Sequence, residues 1–374
     1  MLIALSCLIF FYPILFFDDI SIGFIRIPVV IGAKISIFFS ILFLLTVGWF
    51  VKKPTNNFVF AYGGHVKFYS NTISFFVFFM MLYIVYDNGF GLHGRAKNEV
   101  MENLGYIYKL YSVFSVILIS FATITMNRKL LLIAISIVFF DIMYGFRGAT
   151  AELIIAYFLT RPVRQGINNL RLILYSLFGV LFLTLIKETA YFSNSIGVVI
   201  ENILNSYDSE GLSFLSIINV EAASISVVYN QVILYDFSIP PIYLVDCFFS
   251  IFPFLDKFGY QGTGFSTYFK GIIFGNEGDS FASGMLSVGY ALASYFGVAL
   301  VLTGLAIWGY IYTYFLSTKI FILRVALVSI STILMVSFFR SDLLYLFGLI
   351  RSIVLVCFML YLFHRVTRNH LYVS

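Results

Sequence analysis

Charged residues are scarce in this sequence. Only 11% of its 374 residues are Asp, Glu, Lys or Arg, while 61% are hydrophobic. A soluble globular chain has about 25% charged and about 45–50% apolar residues. A water-soluble fold would not have enough polar side chains to cover so much apolar chain, and the mean hydropathy of +0.97 excludes a disordered chain. The sequence therefore predicts a polytopic integral membrane protein.

Cysteine is also scarce. Cys7 and Cys357 lie inside apolar runs, so only Cys247 is placed to face an oxidising compartment, and one thiol forms no intramolecular disulfide. The sequence has no CxxC motif and no Cys/His cluster, so we predict neither a metal site nor a cofactor. Lys and Arg do not cluster outside short loops, which argues against a nucleic-acid interface.

Ten apolar runs approach the length of about 20 residues that a spanning helix needs. They cover 1–17, 35–51, 72–86, 106–125, 130–146, 150–160, 172–186, 291–316, 320–339 and 343–363. The runs do not alternate as the strands of a membrane β-barrel do. We therefore predict an all-α fold of about ten transmembrane helices in one integral membrane domain, 1–374.

The placement of basic residues predicts the orientation of these helices. One set of alternate loops, together with the C-terminus, holds basic residues and no acid: Lys52, Lys53, Lys67, Arg128, Lys129, Arg161, Arg164, Arg171, Lys319, Arg365 and Arg368. The other set holds nearly all of the acids. Because cytoplasmic loops are enriched in Lys and Arg, we expect the first set and both termini to be cytoplasmic.

One segment between the predicted spans is much longer than the others. It runs from 187 to 290, and the orientation above makes it a periplasmic loop, with Asp208 outside. Parts of it, such as 242–254, are apolar enough to lie on or dip into the bilayer. A second interpretation stays open, in which this segment hides a helix pair and the chain has twelve spans.

Three arginines lie in or beside the spans near the predicted outer face. Arg351 is about nine residues into the last span, where an arginine costs about 2.5–3.5 kcal/mol on insertion scales. Arg147 ends span five, and Arg340 ends span nine. A guanidinium binds phosphate at two points, so three of them would suit an anionic ligand. The alternatives are a buried ion pair for Arg351 and interfacial snorkelling for Arg147 and Arg340.

Two further candidates accompany these arginines. Glu152 lies one turn into span six, close in sequence to Arg147 and Asp141, and is a candidate for substrate binding. Arg95, in the outer loop 87–105, would add a ligand contact or belong to a solvated loop.

The end of the long segment is rich in glycine, aromatic residues and acids. This composition, over 259–289 and directly before a span, favours a loop that contacts a ligand. Glu277 and Asp279 are its candidates for a general base toward a sugar hydroxyl, and simple turn residues are the alternative.

The layout resembles the O-antigen polymerase (Wzy) family of bacterial inner membranes. Ten or more spans, cytoplasmic termini and a long periplasmic loop in the second half match. Locally, Phe146-Arg147-Gly148-Ala149 looks like the family's arginine turn that opens a helix. The stretch from Gly275 to Tyr295-Phe296-Gly297 looks like its glycine-rich entry to the next span, and Arg340-Ser341-Asp342 is also similar.

This resemblance implies a function in lipopolysaccharide biosynthesis. Such enzymes are metal-independent membrane glycosyltransferases that move a growing polysaccharide from undecaprenyl diphosphate onto a newly flipped lipid-linked repeat unit. From this resemblance together with the residue patterns above, we expect catalytic roles for Arg147, Arg340, Glu277 and Asp279, with Arg351, Arg95 and Glu152 binding substrate. The implied partners are the lipid-linked oligosaccharide, the bilayer, a chain-length regulator and a flippase, and no nucleic acid.

Two other functions stay open. A lipid-linked oligosaccharide flippase or other transporter would need a polar cavity that reaches both membrane faces, whereas the polar residues here cluster on one face. The related O-antigen ligase is expected to use a histidine in its long periplasmic loop, and 187–290 contains none.

Overall fold

The computed structural model describes residues 2–22, 25–50, 64–89, 97–144, 148–160, 213–252, 264–265, 268–269, 284–316, 318, 320–338, 341 and 343–371. This part of the chain is almost entirely helical, which confirms the prediction of a helical membrane protein. The predicted seventh span, 172–186, lies outside it.

Eleven helices and one β-hairpin make up the described part of the chain. In chain order they are α1 (Leu2–Phe16), β1 (Asp19–Ile22), β2 (Ile25–Pro28), α2 (Ile31–Phe50), α3 (Gly64–Asn88), α4 (Lys97–Thr125), α5 (Arg128–Met143), α6 (Gly148–Thr160), α7 (Ser213–Leu234), α8 (Ile242–Phe249), α9 (Met285–Phe315), α10 (Phe321–Ser337) and α11 (Leu343–Leu371).

Five of these helices are long and apolar enough to cross a membrane. Their candidate spans are Ile31–Gly48, Val66–Asn88, Ile107–Thr125, Met285–Phe315 and Leu343–Phe363. The helices also expose large apolar side chains that water would not tolerate in such number: on α3 alone, Phe75, Phe78 and Phe79 are each more than 60% exposed. Contact with lipid tails explains this surface. The total number of spans, and the side of the membrane on which each loop lies, stay predictions.

A β-hairpin connects α1 to α2, where the sequence predicts only a short loop. Strands β1 and β2 are antiparallel, and Ile20 pairs with Ile27 in a register that buries both side chains. Alternating isoleucines on each side of Gly23 explain the pairing. Beside the hairpin, Lys34 Nζ donates to Asp18 Oδ1 at 2.7 Å. This hydrogen bond and the ammonium charge hold the pKa of Asp18 below its usual range.

The chain divides into two compact units. The first comprises Met1–Lys52, Leu215–Thr313 and Leu334–Arg351, and the second comprises Lys53–Phe214, Tyr314–Ile333 and Ser352–Ser374. The expectation of one integral membrane domain stays a prediction.

Helix α4 is the centre of the second unit. It packs against α3, α5 and α6, and 67% of its span is buried, against 28% for each of the other four candidate spans. Helix α10 joins it through a hydrogen bond of 2.9 Å between Ser120 and Ser329. The hydroxyls of Thr123 and Thr125 are satisfied within the helix, since they donate to carbonyls four residues earlier.

In the first unit, helix α7 packs against α1 and α2. Ser226 Oγ donates to the carbonyl oxygen of Phe10, in the middle of α1. One turn later, Asn230 bonds both the Val30 N–H and the Pro28 carbonyl, which lie beyond the end of α1. Helix α7 therefore runs parallel to α1.

This helix lies inside the segment that the sequence predicts as one long loop. It has 22 residues, or about 33 Å of helix, which is enough to cross a bilayer. Since it is parallel to α1, its first residue lies on the side of the N-terminus. The interpretation in which 187–290 contains spanning helix stays open, and it predicts the direction in which α7 crosses.

We therefore expect Ser213 and Tyr235 to lie on opposite sides of the membrane. In a variant without the three native cysteines, an impermeant maleimide added to intact spheroplasts should label Tyr235→Cys and not Ser213→Cys. Lysis should make both positions reactive, which is the control for exposure. Labelling of Ser213→Cys from outside would show that α7 does not cross.

Helix α9 is broken at Ala293 and Ser294. Neither residue has helical dihedral angles, and Ser294 has a φ of 51°, in the left-handed region. In an unbroken helix, Gly289 and Gly297 would be about 12 Å apart. Here a Cβ atom on Gly297 would overlap the carbonyl oxygen of Gly289. The segment 285–292 thus folds back on 295–315, and the predicted run 291–316 contains this break.

Substitution of Gly297 tests this close approach. Gly297→Ala should lower the midpoint of thermal unfolding in detergent, because overpacking of this kind costs about 1–3 kcal/mol. Gly304 and Gly309, on the same helix, have no atom within 4 Å of an added Cβ. Gly304→Ala and Gly309→Ala should therefore leave the midpoint unchanged or raise it, since alanine favours helix. An equal effect at all three positions would contradict the fold-back.

Candidate functional site

Two buried carboxylates face each other where α5 meets α6, in the second unit. Asp141 lies in the last turn of α5 and is 4% exposed; Glu152 lies in the second turn of α6 and is 5% exposed. Acidic side chains are rarely buried to this extent, and an ionisable residue within a membrane helix marks a candidate functional site.

Asp141 holds three helices together. Its Oδ1 accepts a hydrogen bond of 3.0 Å from the hydroxyl of Tyr111 on α4. Its Oδ2 accepts one of 2.9 Å from the backbone N–H of Ala149, in the first turn of α6. That N–H has no partner within its own helix, so Asp141 acts as a cap of α6 from the preceding helix. The carboxylate thereby fixes the angle at which the chain turns from α5 into α6.

Glu152 approaches the same point from the other side. A Cβ atom built on Gly148 would lie 3.8 Å from Glu152 Oε1 and 3.9 Å from Asp141 Oδ2. Both acids therefore sit at the N-terminal end of α6, where the helix dipole favours negative charge. In the same helix turn, the hydroxyl of Thr150 is buried and has no hydrogen-bond partner among the residues that the structure covers.

The site lies at the ends of α3 and α5. The hydroxyl of Tyr144, which follows α5, donates to the carbonyl oxygen of Gly89, which follows α3. The placement of basic residues predicts that this end is periplasmic. Helix α4 extends well past it: Tyr111 is fourteen residues from the first residue of α4, Lys97, or about 21 Å along the axis.

The structure brings together only part of the residue set that the sequence predicts. Glu152 belongs to the carboxylate pair, as described above. Five predicted site residues lie outside the described part of the chain, and their roles stay predictions: Arg95, Arg147, Glu277, Asp279 and Arg340. In sequence, Arg147 lies between the two carboxylates, six residues after Asp141 and five before Glu152.

Arg351 contacts backbone instead of a carboxylate. Its Nη1 donates to the carbonyl oxygen of Ser250 at 2.7 Å and to that of Phe252 at 3.4 Å. Among the described residues, the ion pair that the structure shows is Lys34 with Asp18. No described carboxylate forms an ion pair with Arg351, and its role in substrate binding stays a prediction.

The sequence analysis does not select two buried polar residues of the second unit, Arg324 and Tyr111, as candidates for the site. Arg324, in the first turn of α10, is only 3% exposed. Its charge inside an apolar run is the same signal that identified Arg351. Tyr111 could not be singled out, because a single hydroxyl among 26 tyrosines carries no signal until the fold places it beside Asp141.

The arrangement can accept a proton or a hydroxyl hydrogen bond close to a membrane surface. Carboxylates are general bases, and burial strengthens their electrostatic interaction with a ligand. A metal centre would require at least a third ligand; within the described ranges no group of three His, Cys, Asp or Glu residues is positioned to bind one.

The double contact of Asp141 predicts an order of stabilities. Asp141→Ala should lower the thermal unfolding midpoint most, because the loss of a helix cap costs about 0.5–2 kcal/mol and Tyr111 also loses its acceptor. Tyr111→Phe removes only one hydrogen bond, worth about 0.5–1.5 kcal/mol. The effects should not add in the double variant, because the residues are in contact. Tyr86→Phe, at a side chain that is 88% exposed, should have no effect; equal losses at Tyr86 and Tyr111 would contradict the network.

The chain was compared with known proteins at the level of family, sequence and structure. No family model, no curated protein and no solved structure matches the chain.

Proposed function

We propose that this protein is a glycosyltransferase of the bacterial inner membrane that polymerises undecaprenyl-diphosphate-linked O-antigen repeat units at the periplasmic face. The observation that carries the proposal is the buried carboxylate pair, Asp141 and Glu152, at one end of the α5–α6 hairpin. These acids can bind a sugar hydroxyl. Arg147, which can bind a diphosphate, lies between them in the sequence. The family resemblance of the spans and loops supports the same function.

The reaction proposed for this site is a displacement at an anomeric carbon. A hydroxyl of the acceptor repeat unit forms the new C–O bond and gives its proton to a carboxylate. The bond between the donor sugar and the diphosphate breaks, and undecaprenyl diphosphate leaves with its electron pair. Arg147 and Arg340 would stabilise the charge that develops on this leaving group.

Among the two carboxylates, we assign the contact with the acceptor to Glu152. Both oxygens of Asp141 already accept hydrogen bonds, one from Tyr111 and one from Ala149. Asp141 is therefore a positioning residue, which holds α6 and with it Glu152. Glu277 and Asp279 stay candidates for the base itself, and Glu152 would then orient the hydroxyl.

A flippase of lipid-linked oligosaccharides is the second candidate. Buried acids on neighbouring membrane helices are typical of proton relays in transporters, and the carboxylate pair satisfies that description. In this case Glu152 would carry a proton during transport and would make no contact with a reacting sugar.

Lipopolysaccharide from a deletion strain separates these functions. Loss of a polymerase should leave lipid A core with a single repeat unit, because ligation continues without polymerisation. Loss of a flippase should leave the core with none. An unchanged banding pattern on a gel would exclude both functions.

Glu152→Gln, expressed in the deletion strain, tests the site itself. The change keeps the size of the side chain and removes its charge, so it should slow polymerisation by about 10²–10⁴-fold, the usual contribution of an acid–base group. Protein abundance should stay normal. Asp87→Asn, at an exposed acid of the same unit, is the matched control and should restore the full ladder. A full ladder from Glu152→Gln would exclude this residue from the reaction.

A further inference from the structure

Helix α8 and the turn after it expose an apolar surface in the first unit. Tyr243, Asp246 and Cys247 are buried. The exposed large side chains of this segment are all apolar: Ile242, Leu244, Val245, Phe248, Phe249, Ile251 and Phe252. Seven such side chains within eleven residues form a surface that is unfavourable in water.

The backbone at the start of this segment forms its hydrogen bonds within the protein. The Ile239 N–H donates to the carbonyl of Ala291. The next two residues are Pro240 and Pro241, which have no N–H to satisfy. The N–H groups of Tyr243 and Leu244 then donate to the carbonyls of those two prolines.

The last four carbonyls of α8 are also satisfied within the protein. Ser250 contributes twice, since its N–H donates to the Asp246 carbonyl and its hydroxyl donates to the Cys247 carbonyl at 2.6 Å. The carbonyls of Phe248 and Phe249 accept from the N–H groups three residues later. A helix end in water leaves such carbonyls to solvent, whereas in hydrocarbon each unsatisfied group costs several kcal/mol.

Arg351 adds two hydrogen bonds to this set from α11. It binds the carbonyls of Ser250 and Phe252, which follow the helix. Arg351 is eight residues from Leu343, the first residue of α11, or about 12 Å along a helix that is a candidate span. Its side chain leans back toward the helix start. The end of α8 therefore lies between the level of Arg351 and the membrane surface at the start of α11.

We propose that the segment 242–252 is inserted into the outer-leaflet hydrocarbon, where its apolar face contacts lipid acyl chains and Arg351 holds it at a fixed depth. The apolar exposure, the internal hydrogen bonds at both ends of α8 and the level of the contact on α11 lead independently to the same placement. This also explains an arginine inside a span, because a cation binds well to the carbonyls at a helix C-terminus. The proposal does not depend on the function proposed above.

Depth measurement by spin labelling tests the placement in the protein as it exists. Nitroxides would replace Val245 or Phe248 in full-length protein in phospholipid vesicles, and their collisions with oxygen and with a water-soluble nickel chelate would be compared. Asp19, which is exposed on the hairpin, gives the water reference. Phe79, which is 61% exposed on α3, gives the lipid reference. Both test labels should favour oxygen, as the label at Phe79 does.

Two results would overturn the proposal. Collisions dominated by the nickel chelate, as at Asp19, would place the segment in water. Low access to both reagents would show that another protein surface covers it. The wild-type arginine is present throughout, so this measurement decides the placement even where substitutions at Arg351 reduce expression.

Substitution of Arg351 tests its positioning role. Arg351→Met keeps the length of the side chain and removes its donors, so the label at Phe248 should become more mobile and change its depth. Arg365→Met, at an exposed arginine of the same helix, should leave both properties unchanged. Arg351→Lys should restore the depth in part, because an ammonium donates to carbonyls as a point charge without the planar fork. An unchanged label in Arg351→Met would exclude the anchoring role.

Discussion

A peptide group inside a bilayer has no water to bind, and this constraint explains the contacts that Asn230, Asp141 and Arg351 make with backbone. Helices satisfy their own interior, so the problem concentrates at their ends. Asn230 bonds both the Val30 N–H and the Pro28 carbonyl where the hairpin enters α2. Asp141 accepts from the first turn of α6, and Arg351 donates to the carbonyls after α8. In each case, one polar side chain from a neighbouring element completes a helix end or a connection.

The same constraint explains how the two carboxylates are buried. An acid can be buried at low cost where it accepts hydrogen bonds, and Asp141 accepts from both Tyr111 and Ala149. Glu152 is placed at the same helix end by that arrangement. The pair thus combines a structural carboxylate with the one to which we assign contact with substrate. A transporter would use the same geometry to hold a proton. The two functions therefore differ in the lipopolysaccharide that a deletion strain makes and not in the geometry of the carboxylates.

The apolar runs predict the helices well and the interruptions poorly. The predicted span 106–125 lies within α4, because a long apolar run has few alternatives in a bilayer. The run 72–86 underestimates α3, which continues through Lys67 and Ser70, since helical hydrogen bonding does not end where hydropathy falls. The break at Ser294 has no such signal, because it depends on the contact between Gly289 and Gly297.

For the site residues too, the sequence indicates which residues are unusual but not which groups they contact. The apolar context of Glu152 and Arg351 marks both as unusual, yet it does not tell which groups they meet. Arg351 binds carbonyls of a segment about one hundred residues earlier, and no local pattern in the sequence indicates this contact. Such a partner is set by tertiary packing. The mixed composition of 187–290 likewise conceals α7, whose apolar part covers only Ser224–Leu234.

The length of α4 has a mechanical consequence for the site. The helix is continuous from Lys97 to Thr125, so the part beyond Tyr111 is a stiff arm of about 21 Å. The rest of α4 packs against α3, α5 and α6, so it cannot tilt with the arm without straining these contacts. A lateral force on this arm therefore acts as a torque at the level of Tyr111, whose hydroxyl is bonded to Asp141.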